Sequence, residues 1–256
     1  MPKLQALIFD VDGTLADTER DGHRVAFNQA FAEAGLDWDW SIELYGQLLA
    51  VTGGKERMHF YLDRDLPDWP RPDNLKQLIA DLHAAKTRHY TQLLSEGLIP
   101  LRAGVRRLLD EARQAGLRLA IATTTTPANV TALLEHALDP NSADWFEVIA
   151  AGDIVPAKKP APDIYVYTLE KMGLDPSECI AFEDSYNGLV SARQANLQTI
   201  ITINDYTCEQ AFTDALVVLD SLGEPDAPFQ LKQGQAGSAT YIDLELVRHL
   251  HQQALA

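Results

Sequence analysis

The fold of this chain is decided by a stretch close to its N-terminus, Ala6-Leu-Ile-Phe-Asp10-Val-Asp12-Gly13-Thr14. Its four apolar residues are typical of a short buried strand, and the run ends abruptly in two acids. In a parallel sheet, ligands bind beyond the carboxyl ends of the strands, which is where Asp10 and Asp12 would lie. Gly13 lets the chain turn sharply after them. The stretch therefore predicts a buried first strand with an acidic site at its tip.

Similar apolar runs recur along the chain and alternate with segments of helical periodicity. The predicted strands are residues 6–9, 117–123, 146–151, 179–182, 197–203 and 216–219. The amphipathic segments between them are residues 104–115, 128–137, 163–172 and 188–195. This alternation indicates crossover units, so we expect an α/β fold whose parallel sheet is covered by helices on both faces.

The alternation stops between residues 17 and 98, where no strand-like run occurs. Helical patterns cover residues 18–35, 42–50, 55–63 and 73–96, and residues 65–73 form a Pro- and Asp-rich loop. We therefore expect a core of residues 1–16 plus 99–256 and an inserted four-helix cap of residues 17–98. In the Pro-, Gln- and Gly-rich tail after Gly223 we predict only a last helix, at 242–253, with His249 and His251 at the surface.

The two acids of the first strand tip suit phosphoryl transfer. A carboxylate is an oxygen nucleophile that needs no deprotonation at neutral pH, which fits Asp10. A second carboxyl group can protonate the leaving alkoxide and later deprotonate water, which fits Asp12. The alternative is an acidic turn that caps the next helix.

Three other predicted strands end in residues that would complete such a site. Thr123, Thr124 and Thr125 offer hydroxyls ahead of Pro127, whose helix N-terminus favours phosphate. Lys159 can neutralise phosphoryl charge. The next strand ends in Glu183 and Asp184.

These acids also suit a hard cation such as Mg²⁺, which binds few protein carboxylates and keeps water for the substrate. Asp10, Asp184 and the backbone carbonyl of Asp12 would be its protein ligands, with Glu183 one shell further out. Each strand end alone has an ordinary structural explanation, but the four together predict one site along one edge of the sheet.

Composition narrows the range of partners. The net charge of −16 argues against nucleic acid, because phosphate backbones require clustered Lys and Arg. Two cysteines give no disulfide framework. The N-terminus lacks a signal-peptide pattern, and no run of 18 apolar residues suggests a membrane span. We expect a soluble, cytoplasmic monomer. The net charge does not exclude a small phosphorylated substrate, because a few local cations can hold one.

The motifs Asp10-x-Asp12-Gly13-Thr14, Thr123, Lys159-Pro160 and Glu183-Asp184 resemble those of the haloacid dehalogenase-like phosphatases over nearly the whole chain. The resemblance implies a Rossmann-like core, a cap that closes over the substrate, and Mg²⁺ as cofactor. The insert is similar to the small cap of the β-phosphoglucomutase subgroup.

A narrower similarity points to the CbbY-type proteins. It rests on the segment from Asp17 to Arg24, on Thr52-Gly-Gly-Lys-Glu-Arg57, and on His83-Ala-Ala-Lys86-Thr. CbbY-type proteins act on xylulose 1,5-bisphosphate, a by-product that inhibits Rubisco, so the resemblance implies a bisphosphate phosphatase.

A bisphosphate needs a second anion site in the cap. The candidate residues combine a glycine pair at a helix start, nearby cations and polar groups that share a helix face, namely Glu19, His23, Gly53, Gly54, Lys55, Arg57, His83 and Lys86. Glu19 could bind sugar hydroxyls, His23 could bind phosphate if it is protonated, and the others could bind phosphate. A solvated helix surface is the alternative.

Several other functions share these motifs. A β-phosphoglucomutase-like phosphomutase would return the phosphoryl group to the sugar, and a broad sugar-phosphate or phosphoglycolate phosphatase would lack the bisphosphate preference. A phospho-accepting receiver module also uses strand-end acids, but Asp12 and the helical insert argue against it. An inactive scaffold is disfavoured because every catalytic position holds a competent residue.

Overall fold

The computed structural model describes residues 2–51 and 53–255. These residues form two compact units. The core unit joins the chain up to Asp17 with the chain from Pro100 onward, and the helical unit spans Thr18–Ile99.

The core unit is built on a seven-stranded sheet. In chain order its strands are β1 (Ala6–Phe9), β2 (Arg118–Thr123), β3 (Val148–Ala151), β4 (Cys179–Glu183), β5 (Gln198–Thr202), β6 (Val217–Leu219) and β7 (Leu231–Gly234). The spatial order is β3-β2-β1-β4-β5-β6-β7, and every pair is parallel except β6 with β7. This is a Rossmann-like α/β fold, as the sequence predicts.

The order of the strands places β1 between β2 and β4. Phe9, the last residue of β1, is level with Ile121 of β2 and Phe182 of β4. The chain runs outward from β1 through β2 to β3 and then crosses to β4 on the other side. Ligands of open α/β sheets bind beyond the strand ends at such a reversal, so the tips of β1 and β4 frame the expected site.

Both faces of this sheet are buried. Ala6 and Ile8 point to one face, where they pack in a cluster with Ile164 and Leu169. Leu7 and Phe9 point to the opposite face and are also fully buried.

The α-helices are numbered along the whole chain. The core unit contains α5 (Val105–Gln114), α6 (Pro127–Leu133), α7 (Asp163–Met172), α8 (Tyr186–Gln194) and α9 (Leu244–Ala254).

The helical unit contains the α-helices α1 (Arg24–Glu33), α2 (Ile42–Leu48), α3 (Gly54–Asp65) and α4 (Leu75–Ser95). A π-helical turn, Glu19–His23, precedes α1. The core of the helical unit is aromatic: the ring centroids of Phe27 and Phe31 lie 4.7 and 4.9 Å from that of Trp40. In the described part of the chain, the longest helix, α4, is too polar to cross a membrane, and no other helix has the length and apolarity to do so.

Two features of the tail differ from the sequence-based expectation. Residues Leu231–Gly234 form β7, whose side chains are all exposed, so the strand lacks the apolar run by which buried strands are found. His251 is only 2% exposed rather than at the surface, and its Nε2 lies 2.8 Å from the carbonyl oxygen of Ser177. His249 is exposed as expected.

Candidate active site

The loop after β1 holds Asp10 against the tip of β4. The backbone N–H of Asp10 donates to the carbonyl of Phe182 at 3.0 Å, which continues the strand pairing by one residue. The loop then turns tightly, and the N–H of Gly13 donates to the carbonyl of Ala16 at 2.8 Å. Gly13 has a φ of +84°, and a Cβ atom there would overlap the Asp184 carboxylate. Glycine is therefore required both for the turn and for this close approach.

Lys159 joins three strand ends through its ammonium group. Nζ donates to Asp10 Oδ1 at 2.6 Å, to Glu183 Oε1 at 2.5 Å and to the carbonyl of Ala122 at 2.9 Å. An ammonium group has three N–H donors, so all of them are engaged. Lys159 is 8% exposed although it comes from a loop. The structure thus brings together Asp10, Lys159 and Glu183, which are far apart in the sequence.

Asp10, Glu183 and Asp184 form a buried acidic cluster. One carboxylate oxygen of each lies within 4.8 Å of one from the others. Burial raises the pKa of Asp10 to about 8, and repulsion from Glu183 adds to this effect against the opposing charge of Lys159. Burial, with repulsion from Asp10 and Glu183, also raises the pKa of Asp184 well above its ordinary value. When all three carboxylates are ionised, the cluster and Lys159 together carry two excess negative charges.

This excess charge and the all-oxygen donor set fit a divalent cation such as Mg²⁺. A hard cation would offset the repulsion that raises these pKa values, because an opposite charge favours the ionised carboxylates. Asp10 and Asp184 are the side chains placed to hold it. Glu183 accepts a hydrogen bond from Lys159, which agrees with a role in supporting the metal ligands rather than in binding the metal itself.

Three residues that sequence reasoning missed support this cluster. Asn204 Nδ2 donates to Asp184 Oδ2 at 2.7 Å. The hydroxyl of Tyr165 donates to Glu183 Oε1 at 2.5 Å. Arg102 donates to the carbonyl of Gly13 and, at 2.7 Å, to that of Asp220, so it ties the acidic loop to the end of β6. Asn204 follows β5 at the same sheet edge, which was an available signal; the other two had none.

The threonines after β2 have mainly local partners. Thr123 is fully buried, and its hydroxyl oxygen accepts from the N–H of Thr125 at 3.3 Å. Thr125 Oγ1 in turn accepts from Asn129 Nδ2 at 3.1 Å. Thr124 is partly exposed. Thr126 caps α6 by accepting from the N–H of Asn129. The hydroxyl-rich strand end is therefore present at the predicted edge of the sheet, and the hydroxyls of Thr123 and Thr125 already accept hydrogen bonds within the protein.

In the helical unit, Glu19 and Arg57 meet through a tyrosine. The hydroxyl of Tyr45 donates to Glu19 Oε2 at 2.5 Å and accepts from Arg57 Nη1 at 2.8 Å. Arg57 is 7% exposed and Tyr45 is fully buried. Tyr45 was not among the predicted site residues, because only the folded chain brings α2 next to the π-helical turn.

The remaining predicted residues of this unit form two neighbouring groups. Lys86 Nζ lies 2.9 Å from His23 Nδ1, and Lys86 is buried against the rings of Phe27 and Tyr90. His83 packs against Gly54, where a Cβ would lie 3.0 Å from His83 Nε2.

The start of α3 combines a glycine conformation with an exposed cation. Gly53, with a φ of +99°, precedes α3, and Lys55 is exposed in its first turn. Thr52, the first residue of that motif, lies outside the described residues.

His83 differs in charge from the two lysines near it, Lys55 and Lys86. Burial, with the nearby charges of Lys86 and Lys55, lowers the pKa of His83 to about 4. His83 is therefore neutral at pH 7 and offers a hydrogen bond rather than a charge.

Comparison with known proteins agrees with this geometry. Residues 4–196 match the family described as haloacid dehalogenase-like hydrolase. The chain is 48% identical to the plasmid-borne protein CbbY of Cupriavidus necator over 252 residues, which cover 97% of each chain. A fructose-1-phosphate phosphatase of Escherichia coli strain K12 is 30% identical over 202 residues, covering 76% of this chain and 94% of that protein.

A solved structure extends the comparison to three dimensions. It is a mutant CbbY from Rhodobacter sphaeroides in complex with xylulose 1,5-bisphosphate, and it is 45% identical with a TM-score of 0.78. The match covers 85% of this chain and 94% of that one. With the family match and the buried site at the tips of β1 and β4, these findings show that the chain belongs to the haloacid dehalogenase-like hydrolases and is a phosphatase.

Proposed function

We propose that this phosphatase is Mg²⁺-dependent, acts through an aspartyl-phosphate on Asp10, and has xylulose 1,5-bisphosphate as its substrate. The observation that carries the chemistry is the buried contact of Asp10 with Lys159 beside Glu183 and Asp184. The substrate is inferred from the 45% identity to a CbbY crystallised with that bisphosphate.

The first step of the proposed reaction is attack by a carboxylate oxygen of Asp10 on phosphorus. The bond from phosphorus to the sugar oxygen breaks, and Asp12 gives its proton to the leaving alkoxide. Lys159 holds the Asp10 carboxylate in place. When bound, Mg²⁺ would supply neutralisation of the charge on the transferring phosphoryl group, with Asp10, Asp184 and the Asp12 carbonyl as its protein ligands.

The second step returns the enzyme to its starting state. Asp12, now ionised, takes a proton from water as the water oxygen attacks phosphorus. The bond from phosphorus to Asp10 breaks, and inorganic phosphate leaves. Asp12 regains its proton in this step, so a single residue serves as acid and then as base. Thr123, Thr124 and Thr125 would contribute hydroxyl and backbone contacts to the phosphoryl oxygens.

The helical unit would bind the distal phosphate of the bisphosphate. A chain with a net charge of −16 repels a polyanion unless cations converge locally. Lys55, Arg57 and Lys86 supply positive charge in one unit, and the N-terminus of α3, at Gly53 and Gly54, supplies backbone N–H groups. His23 and His83 would add hydrogen bonds, and Glu19 would bind sugar hydroxyls.

A rate comparison tests the substrate assignment. Xylulose 1,5-bisphosphate, ribulose 1,5-bisphosphate and glucose 1-phosphate are compared for kcat/KM with Mg²⁺ present, and released phosphate is measured. We expect kcat/KM for xylulose 1,5-bisphosphate to exceed the values for the other two substrates by at least about tenfold. Glucose 1-phosphate lacks a distal phosphate to contact, and contacts to the sugar distinguish xylulose 1,5-bisphosphate from ribulose 1,5-bisphosphate. Similar rates with all three would favour a broad sugar-phosphate phosphatase. Isomerised sugar phosphate without released phosphate would indicate a mutase.

Loss of a single cation in the helical unit should penalise bisphosphates selectively. In Arg57→Ala and Lys86→Ala, we expect kcat/KM for xylulose 1,5-bisphosphate to fall about 10- to 100-fold, the effect of losing one charge-assisted contact worth about 1.5–3 kcal/mol. The same variants should lose less than about threefold with p-nitrophenyl phosphate, which has no distal phosphate. Steady-state kinetics with both substrates measure the difference.

Arg64→Ala and Lys76→Ala are the matched controls, because these exposed cations lie on α3 and α4 as well. Both should leave the two rates unchanged. Equal losses with both substrates in the test variants would show that Arg57 and Lys86 serve the fold of the helical unit instead. Melting temperatures of all four variants identify such a loss of stability.

A further inference from the structure

The hydroxyl of Tyr165 is the outermost link in a chain of buried hydrogen bonds that ends at Asp10. It donates to Glu183 Oε1 at 2.5 Å, and the same oxygen accepts from Lys159 Nζ at 2.5 Å. Lys159 Nζ then donates to Asp10 Oδ1 at 2.6 Å. The Lys159 ammonium also lies 5.1 Å from the centre of the Tyr165 ring. Tyr165 therefore contacts the residues around the nucleophile without contacting the nucleophile itself.

The four residues of this chain are all buried, and the two at its outer end are the least exposed. Tyr165 is 0% exposed and Glu183 is 1% exposed. A buried carboxylate is costly unless donors satisfy it, and here one oxygen of Glu183 takes both donors. The other oxygen, Oε2, has no hydrogen-bond partner among the described residues. The orientation of the Glu183 carboxylate thus depends on the two donors at Oε1.

We infer that Tyr165 is a positioning residue for phosphoryl transfer: its hydroxyl fixes the Glu183 carboxylate, which in turn holds the Lys159 ammonium on Asp10. This inference rests on the proposed role of Asp10 as nucleophile. Without the hydroxyl, Glu183 has Lys159 as its sole donor at Oε1 and draws the ammonium away from Asp10. The Asp10 carboxylate then loses the contact that aims it at phosphorus, and a displacement of this kind lowers the rate of the chemical step.

The test is Tyr165→Phe, which removes one oxygen atom and keeps the ring. Tyr167→Phe, on the same helix and only partly buried, is the matched control. With p-nitrophenyl phosphate and Mg²⁺ at 25 °C, we expect kcat of Tyr165→Phe to fall about tenfold and KM to change less than about twofold. Tyr167→Phe should match wild type in both constants. Thermal melting shows whether each variant is folded at the assay temperature.

A double-mutant cycle tests the route through Glu183. If Tyr165 acts through that carboxylate, adding Tyr165→Phe to Glu183→Ala should lower kcat by less than about twofold further. A second tenfold loss would overturn the inference, as would a kcat of folded Tyr165→Phe within twofold of wild type. If Glu183→Ala does not fold, the single variant alone decides. Failure of the proposed function itself is distinct, because wild type would then show no Mg²⁺-dependent turnover.

Discussion

Asp10→Asn is expected to abolish turnover while leaving the protein folded and able to bind substrate. The amide has nearly the shape of the carboxylate, but its oxygen is not a competent nucleophile, so no aspartyl-phosphate can form. We expect kcat for any sugar phosphate to fall at least about a thousandfold, which corresponds to about 4 kcal/mol in the barrier. Steady-state kinetics measure the loss, and calorimetric titration with xylulose 1,5-bisphosphate measures the retained binding.

Two comparisons separate the nucleophile from the other acids. Asp226→Asn changes an exposed acid in the same unit and should retain wild-type kinetics. Asp12→Asn should still release one equivalent of p-nitrophenol in a rapid burst, because an activated leaving group needs no proton, whereas Asp10→Asn should give no burst. Residual activity above a few per cent in purified Asp10→Asn would place the nucleophile elsewhere.

The core architecture was predictable because two independent signals coincide in it. Strands such as β1 and β4 are buried on both faces, so they read as short continuous apolar runs. The residues that follow them, Asp10 and Asp184, are polar and lie at the carboxyl ends of parallel strands. The topology alone brings such ends together, so their proximity follows from the strand assignment without knowledge of any side-chain contact.

The residues that support the acids could not be predicted in this way. Tyr165 lies within α7, where an apolar helix face explains a tyrosine fully, and its bond to Glu183 depends on the packing of α7 against the sheet. In the sequence, Arg102 looks like one more surface cation after the helical insert. In the structure it donates to four backbone carbonyls, those of Gly13, Thr202, Ile203 and Asp220. Such roles depend on tertiary distances that no local pattern encodes.

The helical unit shows the same limit for charged side chains. The sequence indicates Arg57 as a cation after a glycine pair and Lys86 as a cation that shares a helix face with His83. The structure buries both, Arg57 against Tyr45 and Lys86 beside His23. Burial of long cationic side chains is uncommon unless partners hold them, so it strengthens the case for a specific role. His83, by contrast, is neutral because its surroundings are buried and positively charged, which the sequence spacing could not show.

Asp184→Ala is expected to remove the response of the enzyme to Mg²⁺. Asp184 belongs to the buried acidic cluster, and Asn204 fixes one of its oxygens at 2.7 Å, leaving the other for a cation. We expect kcat/KM at submillimolar Mg²⁺ to fall at least about a hundredfold, since a lost ligand should cost at least as much as a lost supporting contact, for which the range is about 10- to 100-fold. Activity of wild type should disappear in excess chelator and return when Mg²⁺ is added.

Thermal melting provides a readout that does not depend on activity. A ligand at about 100 times its Kd stabilises the folded state by about 2.7 kcal/mol, which for a chain of this size raises the Tm by about 5–10 °C. Wild type and the exposed control Asp226→Ala should show this shift with Mg²⁺, and Asp184→Ala should show none. Because burial and repulsion from Asp10 already disfavour an ionised Asp184, the metal-free variant should melt close to metal-free wild type. An undiminished Mg²⁺ shift in Asp184→Ala, or wild-type turnover in chelator, would refute the assignment of the metal to this cluster.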